Sequence, residues 1–478
     1  MIRVRPSSPM TTPLIVACAL FMENLDSTVV STALPTIAKA FNENPIHLNL
    51  AITSYLLSLA VFIPVSGWVA DRYGARHVFR IAIVVFTLAS ILCGLSNSLA
   101  EFVAARILQG MGGAMMVPVG RLVVLRAVSK TQLVSAMAYL TVPALIGPVI
   151  GPPVGGFIVT YFSWRWIFWL NLPIGILGIV LATLFIADAR EPKTPPLDLL
   201  GFILSGVGLS GLVFAFETMG RGILPGWMVT VMLIAGLTAM TLYVRHARRV
   251  AHPVIDLSLL RVPTFRTNIL GGTLFRIGIG ALPFLMPLML QLAFGLTPLN
   301  SGLLTFAAAA GALFMKLTAA PILRRFGFKR TMIANALISA AFLASYSFFE
   351  PSTPGWVILA LLLSGGFFRS LQFTALNTIA YADMPPEKMS LATSFASMAQ
   401  QLSVSIGVGV GALALHVSIY FHGGHLTAES FASAFYVIAL CAAASALTFI
   451  GLPANAGDEV SGHARRPMPQ PVLAPKDS

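Results

Sequence analysis

The chain has 478 residues, of which 57% are hydrophobic and 10% are charged, and its formal net charge is +13. Soluble domains carry about 25% charged residues, so this composition excludes a soluble protein and indicates a polytopic membrane protein. The three cysteines lie far apart in apolar segments, which favours buried small residues over a disulfide or metal framework.

Fourteen apolar stretches are long enough to cross a bilayer. They fall at about 11–34, 48–70, 78–97, 100–122, 135–160, 164–187, 199–217, 226–244, 268–292, 302–322, 330–349, 355–380, 391–418 and 431–452. No cleavage-site pattern follows the first stretch, so we expect it to be retained as a span. The even number places both termini on the same side of the membrane.

The basic residues are distributed unevenly between the two sides. Most of the 30 Lys and Arg residues lie in the termini and in the loops on the same side, whereas Lys39, Arg165 and Arg221 lie on the other. The positive-inside rule therefore predicts cytoplasmic termini. Because topology accounts for the net charge, we expect no nucleic-acid partner. The apolar part of loop 245–267 is predicted to lie along the inner membrane surface.

Two pairs of similar sequence segments indicate an internal repeat. Residues 71–76 after the second span resemble 324–329 after the tenth, and residues 106–109 in the fourth span resemble 369–372 in the twelfth. Their common order and orientation predict an all-α membrane protein of two six-helix bundles, related by pseudo-twofold symmetry, with two inserted helices. The predicted domains are a cytoplasmic N-terminus at 1–10, bundles at 11–187 and 268–452, inserted helices with a linker at 188–267, and a disordered tail at 453–478.

Charged residues inside the first half suggest a proton pathway. Glu23 and Asp26 are three residues apart on one helix face. Asp26 and Arg106 are expected at depths of roughly 12 and 9 Å from the outer ends of their spans, so the two side chains can meet. The pair is either a carboxylate whose proton affinity depends on its surroundings or a static buried ion pair.

The second half contains buried cations without acids. Arg276, Lys316 and Arg369 are each expected roughly 21–24 Å deep, in spans that contain no Asp or Glu. Lys316 is close enough to the inner surface for its ammonium to reach water. Arg276 and Arg369 are predicted to face a cavity and bind an acidic group of the substrate.

A glycine- and proline-rich run lies inside the fifth span. Its prolines remove backbone donors and its glycines allow close helix approach. The run therefore predicts a broken helix that bends as a gate, or alternatively a tight static crossing. The residues concerned are Gly147, Gly151, Pro152, Gly155 and Gly156.

With these residues in place, the chain resembles the fourteen-helix drug:proton antiporters of the major facilitator superfamily. The resemblance covers nearly the whole chain and rests on five ordered motifs. They occupy residues 21–35, 67–76, 106–110, 147–156 and 164–173. In the second motif, Ala75 replaces an expected basic residue, which places that charge on Arg76 and His77.

The resemblance implies roles for these positions. Asp26 with Arg106 would couple protons, with Glu23 involved in both coupling and substrate choice. The expected substrate-binding residues are Glu23, Gln109, Arg276, Arg369 and Gln372. Asp71 and Arg72 would form a charge contact that locks one conformation. The expected gating residues are Gly67, Asp71, Arg72, Gly74, Arg76, Gly147, Gly151, Pro152, Gly155 and Gly156.

The predicted function is proton-driven export of amphipathic small molecules through the inner membrane of a bacterium, without an organic cofactor. A periplasmic adaptor protein is an expected partner if the bacterium is gram-negative. The alternative within transport is a dedicated exporter of one anionic metabolite or lipid. An enzyme or a passive channel fits less well. The histidines His422 and His425, with Glu429, lack further metal ligands, and a channel needs no buried carboxylate.

Overall fold

The computed structural model describes residues 10–43, 45–187, 194–219, 224–421 and 427–463. Throughout these ranges the chain forms helices joined by turns and short loops, with no strand. This is the expected solution for a chain in lipid, because a helix satisfies its backbone hydrogen bonds internally.

Eight helices occupy the first six predicted spans. They are α1 (Thr11–Phe41), α2 (Pro45–Phe62), α3 (Ser66–Tyr73), α4 (Ala75–Leu95), α5 (Leu99–Ala127), α6 (Leu133–Tyr161), α7 (Trp166–Trp169) and α8 (Asn171–Phe185). The second span is bent by 59° between α2 and α3. Gly74 ends α3 with a φ of 91°, a left-handed conformation that favours glycine.

The inserted segment contributes α9 (Leu199–Thr218) and α10 (Gly226–Ala247). The remaining helices are α11 (Pro263–Gly280), α12 (Leu282–Leu288), α13 (Pro298–Phe326), α14 (Phe328–Ser345), α15 (Gly355–Ile379), α16 (Met389–Phe421), α17 (Ala428–Ile450) and α18 (Asp458–Ser461). The ninth predicted span comprises α11, α12 and a π-helical turn at Met289–Ala293.

Helix is present at each of the fourteen predicted span positions. Twelve helical segments of the described residues are long and apolar enough to cross a membrane, and the bent α2–α3 pair makes thirteen. The fifth position is occupied by α6, whose 29 residues include no charged side chain. The prediction of an all-helical polytopic membrane protein is confirmed.

Helix packing repeats between the two halves of the chain. In the first half, α5 packs against both α2 and α4; in the second, α15 packs against both α13 and α14. The inserted helices α9 and α10 pack against each other, and α9 also contacts α2 and α16. We refer to residues 11–187 as the N-terminal half and 268–463 as the C-terminal half. The bundle limits 11–187 and 268–452 remain a prediction, whereas the segment predicted as a disordered tail from 453 contains the short helix α18.

The two halves contact each other at one end of the bundle, which we call the basic face because Arg72, Arg126, Lys130 and Arg324 lie there. Ser66 and Ser394 share a hydrogen bond of 2.8 Å, and Lys130 pairs with Glu459 at 2.9 Å. Ser390 of α16 donates to Asp71 of α3. The structure is therefore closed at the basic face.

The linker before α11 differs from its prediction. Val254, Ile255 and Leu259 are buried in the protein core rather than spread along a membrane surface. The Tyr243 hydroxyl donates to the Ile255 carbonyl at 2.9 Å, and the Ile255 amide donates to that hydroxyl at 2.7 Å. These contacts satisfy the linker backbone inside the protein, so its apolar residues need no lipid.

An ion pair ties the linker to α16. Lys388 donates to Asp256 at 3.0 Å. Burial opposes ionisation of Asp256, but hydrogen bonds from Ser258 and Lys388 outweigh it and lower the pKa of Asp256 below its ordinary value. Because the lowered pKa keeps Asp256 ionised, this link persists at neutral pH.

Some sequence predictions concern residues outside the described ranges. These are the cytoplasmic N-terminus at 1–9, Arg190, Lys193, Arg221, His422, His425 and the tail from 464.

Candidate functional site

Asp26 is the centre of a buried polar network in the N-terminal half. Its side chain on α1 is fully buried. One carboxylate oxygen accepts a 2.6 Å bond from Arg106 of α5, and the other accepts from Gln109 at 3.0 Å and from Asn171 at 2.8 Å. The predicted meeting of Asp26 and Arg106 is confirmed. Three donors compensate the cost of burying this charge.

Arg106 is enclosed on all sides. It is 1% exposed, its Nη1 also donates to Gln109 at 2.6 Å, and its guanidinium lies 4.4 Å from the ring centre of Tyr55. The ring face attracts the cation. Because Arg106 remains charged at physiological pH, it holds a positive charge against the Asp26 carboxyl group.

Glu23 joins the same network through Tyr55. The Tyr55 hydroxyl on α2 donates to one oxygen of Glu23 at 3.2 Å, while the other oxygen is buried and has no hydrogen-bond partner among the residues that the structure describes. Gly113 of α5 makes room for this contact, since a Cβ there would lie 2.9 Å from the Tyr55 oxygen. The predicted shared face of Glu23 and Asp26 therefore points into one polar cluster.

The network also includes Tyr55, Asn171 and Ser90, which were not predicted as site residues. Asn171 opens α8 and Ser90 lies on α4; both are buried, and their side chains are 2.8 Å apart. Ser90 in turn donates to the Phe168 carbonyl at 3.0 Å. Asn171 lies in the 164–173 motif, and an amide in an apolar stretch was the signal that could have identified it.

In the described part of the C-terminal half, the structure shows no equivalent of the buried Asp26. Gln372 is buried at the repeat position of Gln109, but it accepts from Asn335 at 2.9 Å and donates to the Met332 carbonyl at 3.3 Å. Among described residues, Arg369 forms no ion pair and lies near Tyr346. The repeat therefore preserves the helix packing but not the chemistry.

The other two buried cations of this half have separate surroundings. Lys316 of α13 donates to Thr374 of α15 at 2.7 Å. Arg276 is 1% exposed and donates to Asn268 at 3.2 Å. Arg276 and Arg369 thus have different local partners, and their binding of an acidic group of the substrate in a cavity remains a prediction.

The glycine- and proline-rich run forms a continuous part of α6. The prediction of a broken helix is wrong, because α6 is continuous and crosses α1 closely; the gating role of the run remains a prediction. A Cβ on Gly147 would lie 2.9 Å from the Leu25 amide nitrogen, and one on Gly151 would lie 2.8 Å from the Thr28 Cβ. These two close contacts therefore lie on either side of Asp26 along α1. Pro152 and the buried Gly155 belong to the same helix.

We expect the glycines of this run to differ in their tolerance of substitution. Gly151→Ala should lower the thermal unfolding midpoint, since forcing a methyl group into a packed crossing costs about 1–3 kcal/mol. A Cβ on Gly156 would meet nothing within 4 Å, so Gly156→Ala should leave the midpoint unchanged. Equal midpoints for the two variants would contradict the crossing. Thermal unfolding of the purified protein provides the measurement.

The loop motif at residues 67–76 forms the contact between the halves at the basic face. Asp71 accepts from Arg126 of α5 at 3.2 Å as well as from Ser390 of the other half. Arg72, expected as part of the charge contact, is exposed to solvent, so Arg126 supplies the cation instead. Arg76 donates to the Thr183 carbonyl on α8 and so holds the loop on its own half.

The duplicated helices, their contact at one face and the buried ion pair inside the first half are features of a membrane transporter. The chain belongs to the Major Facilitator Superfamily, whose family profile matches residues 16–408 and 268–474. Two relatives are named multidrug resistance protein MdtD. The one from Salmonella dublin is 42% identical, covering 82% of this chain and 83% of the relative. The one from Pectobacterium atrosepticum is 39% identical, and the match covers 92% of this chain and 93% of the relative.

Solved structures agree on the fold. The match with the human organic anion transporter MFSD10 covers 93% of this chain and 100% of the MFSD10 chain, with a TM-score of 0.67 and 16% identity. The match with the proton:xylose symporter XylE, bound to a bromo-deoxyglucose, covers 95% of this chain and 98% of the XylE chain, with a TM-score of 0.64 and 16% identity. The protein is therefore a multi-pass membrane transporter.

Proposed function

We propose that this transporter exports amphipathic small molecules from a bacterial cell in exchange for protons. It would work by alternating access in the inner membrane, with both termini in the cytoplasm. The observation that carries the proposal is the fully buried Asp26, held by Arg106. A carboxylate in lipid is costly unless it serves a pathway or a proton relay. The relatives named as multidrug resistance proteins support the choice of cargo.

The geometry supports a coupling cycle. In the state closed at the basic face, Asp26 is paired with Arg106. Separation of this pair would remove the adjacent cation, raise the proton affinity of the carboxylate, and let it bind a proton from the outside. The α1–α6 crossing lies directly beside Asp26, and α6 also contacts α13 and α15 of the other half. A change at Asp26 therefore has a direct path to the interface between the halves.

A dedicated exporter of one anionic compound is the second candidate. The observation favouring it is the buried Arg276, which has no carboxylate partner among the described residues. The two candidates share the proton relay and differ in the range of cargo.

The test is transport into inverted membrane vesicles under an imposed pH gradient, acid inside. We expect several chemically different amphipathic compounds to accumulate, each accompanied by proton efflux that a pH-sensitive dye records. A protonophore should abolish the accumulation, because the gradient is the only energy source. Accumulation that survives the protonophore would contradict proton exchange. Accumulation of a single anion alone would favour the second candidate.

A further inference from the structure

Four residues at four-residue spacing form a row along one face of α11, which we call the ladder. Three of the four are polar. Thr264, Asn268, Gly272 and Arg276 follow one another on this face, as expected for residues one helical turn apart. The Arg276 side chain lies back along the helix and donates from Nη2 to Asn268 at 3.2 Å. Gly272 makes this possible, since a Cβ there would lie 2.7 Å from Nη1 of Arg276. The lack of a side chain at Gly272 therefore accommodates the guanidinium.

This ladder has more donors than acceptors. Within the described part of the chain, Nε and Nη1 of Arg276 and Nδ2 of Asn268 are buried without hydrogen-bond partners. An unsatisfied buried donor costs about 1–3 kcal/mol, and more when it is charged. A guanidinium cannot escape the cost by losing its proton. The group that would satisfy these donors must be an acceptor, and an anion would also neutralise the charge.

A second arginine approaches from the other half of the molecule. Arg121 of α5 is 5% exposed and donates to the hydroxyl of Tyr381, just after α15, at 3.4 Å. Helix α15, which ends just before Tyr381, packs against α11, and both Arg121 and Tyr381 are within electrostatic range of Arg276. Among described residues, neither arginine forms an ion pair with a carboxylate. Two cations thus repel each other across the interface that closes the basic face.

We propose that Arg276, Asn268 and Arg121 bind an oxyanion between the two halves, such as a carboxylate or a phosphate group. The planar guanidinium suits such groups because it donates two parallel hydrogen bonds. A bound anion replaces repulsion by attraction to both halves, so it favours the state closed at the basic face. The role of this site in the cycle rests on the proposed export function, but anion binding itself does not.

The test measures binding by the full chain in nanodiscs of phosphatidylcholine, which carry no anionic lipid. Sodium acetate is the probe, with sodium chloride at equal ionic strength as reference, and thermal unfolding is the readout. We expect acetate to raise the midpoint of the parent protein. Arg276→Gln and Arg121→Gln should each raise the acetate dissociation constant at least about tenfold, because each removes a charge-assisted contact.

Two further variants separate binding from folding. Gly272→Ala keeps every charge but displaces the guanidinium, so it should weaken acetate binding while the protein still unfolds cooperatively. Arg330→Gln removes an exposed arginine on the same face and should bind acetate as the parent does. An acetate effect that is equal in the parent, Arg276→Gln and Gly272→Ala would overturn the proposal. So would the lack of any acetate effect in the parent.

A competition experiment with acetate identifies the source of the anion. An exported anionic compound that displaces acetate would identify the site as the place where the acidic group of the cargo binds. Acetate binding that such compounds leave unchanged would identify a free cytoplasmic ion as the ligand, and supports the site equally. Both measurements are made without a pH gradient, so failure of proton coupling would leave them interpretable.

Discussion

Asp26→Asn is expected to abolish export driven by a pH gradient. In inverted vesicles with an acid interior, accumulation by this variant should fall to the level of vesicles without the protein. An amide cannot carry the proton that Asp26 exchanges, although it still offers Arg106 an acceptor oxygen. Transport of a labelled substrate provides the measurement, with the amount of inserted protein checked in the same vesicles.

A second measurement distinguishes lost coupling from lost structure. Removing one partner of a buried ion pair costs about 3–5 kcal/mol, and Asn lessens this cost by keeping the bonds to neutral neighbours. We therefore expect Asp26→Asn to retain exchange of substrate across the membrane when no gradient is present. Loss of exchange together with loss of insertion would mean that the pair is only structural.

Asp383→Asn is the matched control, because Asp383 is an exposed carboxylate on the basic face. Its export should equal that of the parent protein. Undiminished gradient-driven export by Asp26→Asn would refute the proposed role of Asp26.

Gly67→Ala is expected to open the basic face. A Cβ at this position would lie 2.6 Å from the Ser390 carbonyl oxygen and 2.7 Å from the Ser394 hydroxyl on α16. The added methyl group would clash with the backbone of α16, which cannot move aside as a flexible side chain can. Overpacking of about 1–3 kcal/mol shifts an equilibrium between two states by about 5- to 150-fold. Export should fall because the closed state becomes rare.

The opening can be measured as a distance. Spin labels at Tyr73→Cys and Glu387→Cys, both exposed on the basic face, report the separation of the halves after the three native cysteines are replaced by alanine. We expect a longer mean distance in Gly67→Ala. The control is Gly302→Ala, where a Cβ would meet nothing within 4 Å. An unchanged distance in Gly67→Ala would show that the approach of α3 and α16 does not control closure.

Much of the fold could be predicted from the sequence because lipid imposes a simple rule. Apolar stretches of sufficient length must be helical, and each predicted span position is indeed helical. The Asp26–Arg106 contact was also predictable, since helix rise alone set the two side chains at similar depths. Both predictions needed only local geometry and the dimensions of a bilayer.

The run at residues 147–156 shows where local rules were insufficient. Its prolines predicted a broken helix, yet α6 is continuous, and the glycines serve a crossing with α1. The linker at 254–259 was likewise placed on the membrane surface by its amphipathic pattern, whereas the core of the protein buries it. A hydrophobicity pattern cannot distinguish lipid from protein as the apolar partner.

The sequence by itself determined which segments are helical, the placement of acids and bases within them, and the family. The tertiary structure decided which groups meet. It brought Asn171 to Asp26, Arg126 to Asp71, and Arg121 to Tyr381 across the interface. The physical reason is that depth along a helix follows from residue number, but the direction of a side chain around the bundle depends on how every helix packs against its neighbours.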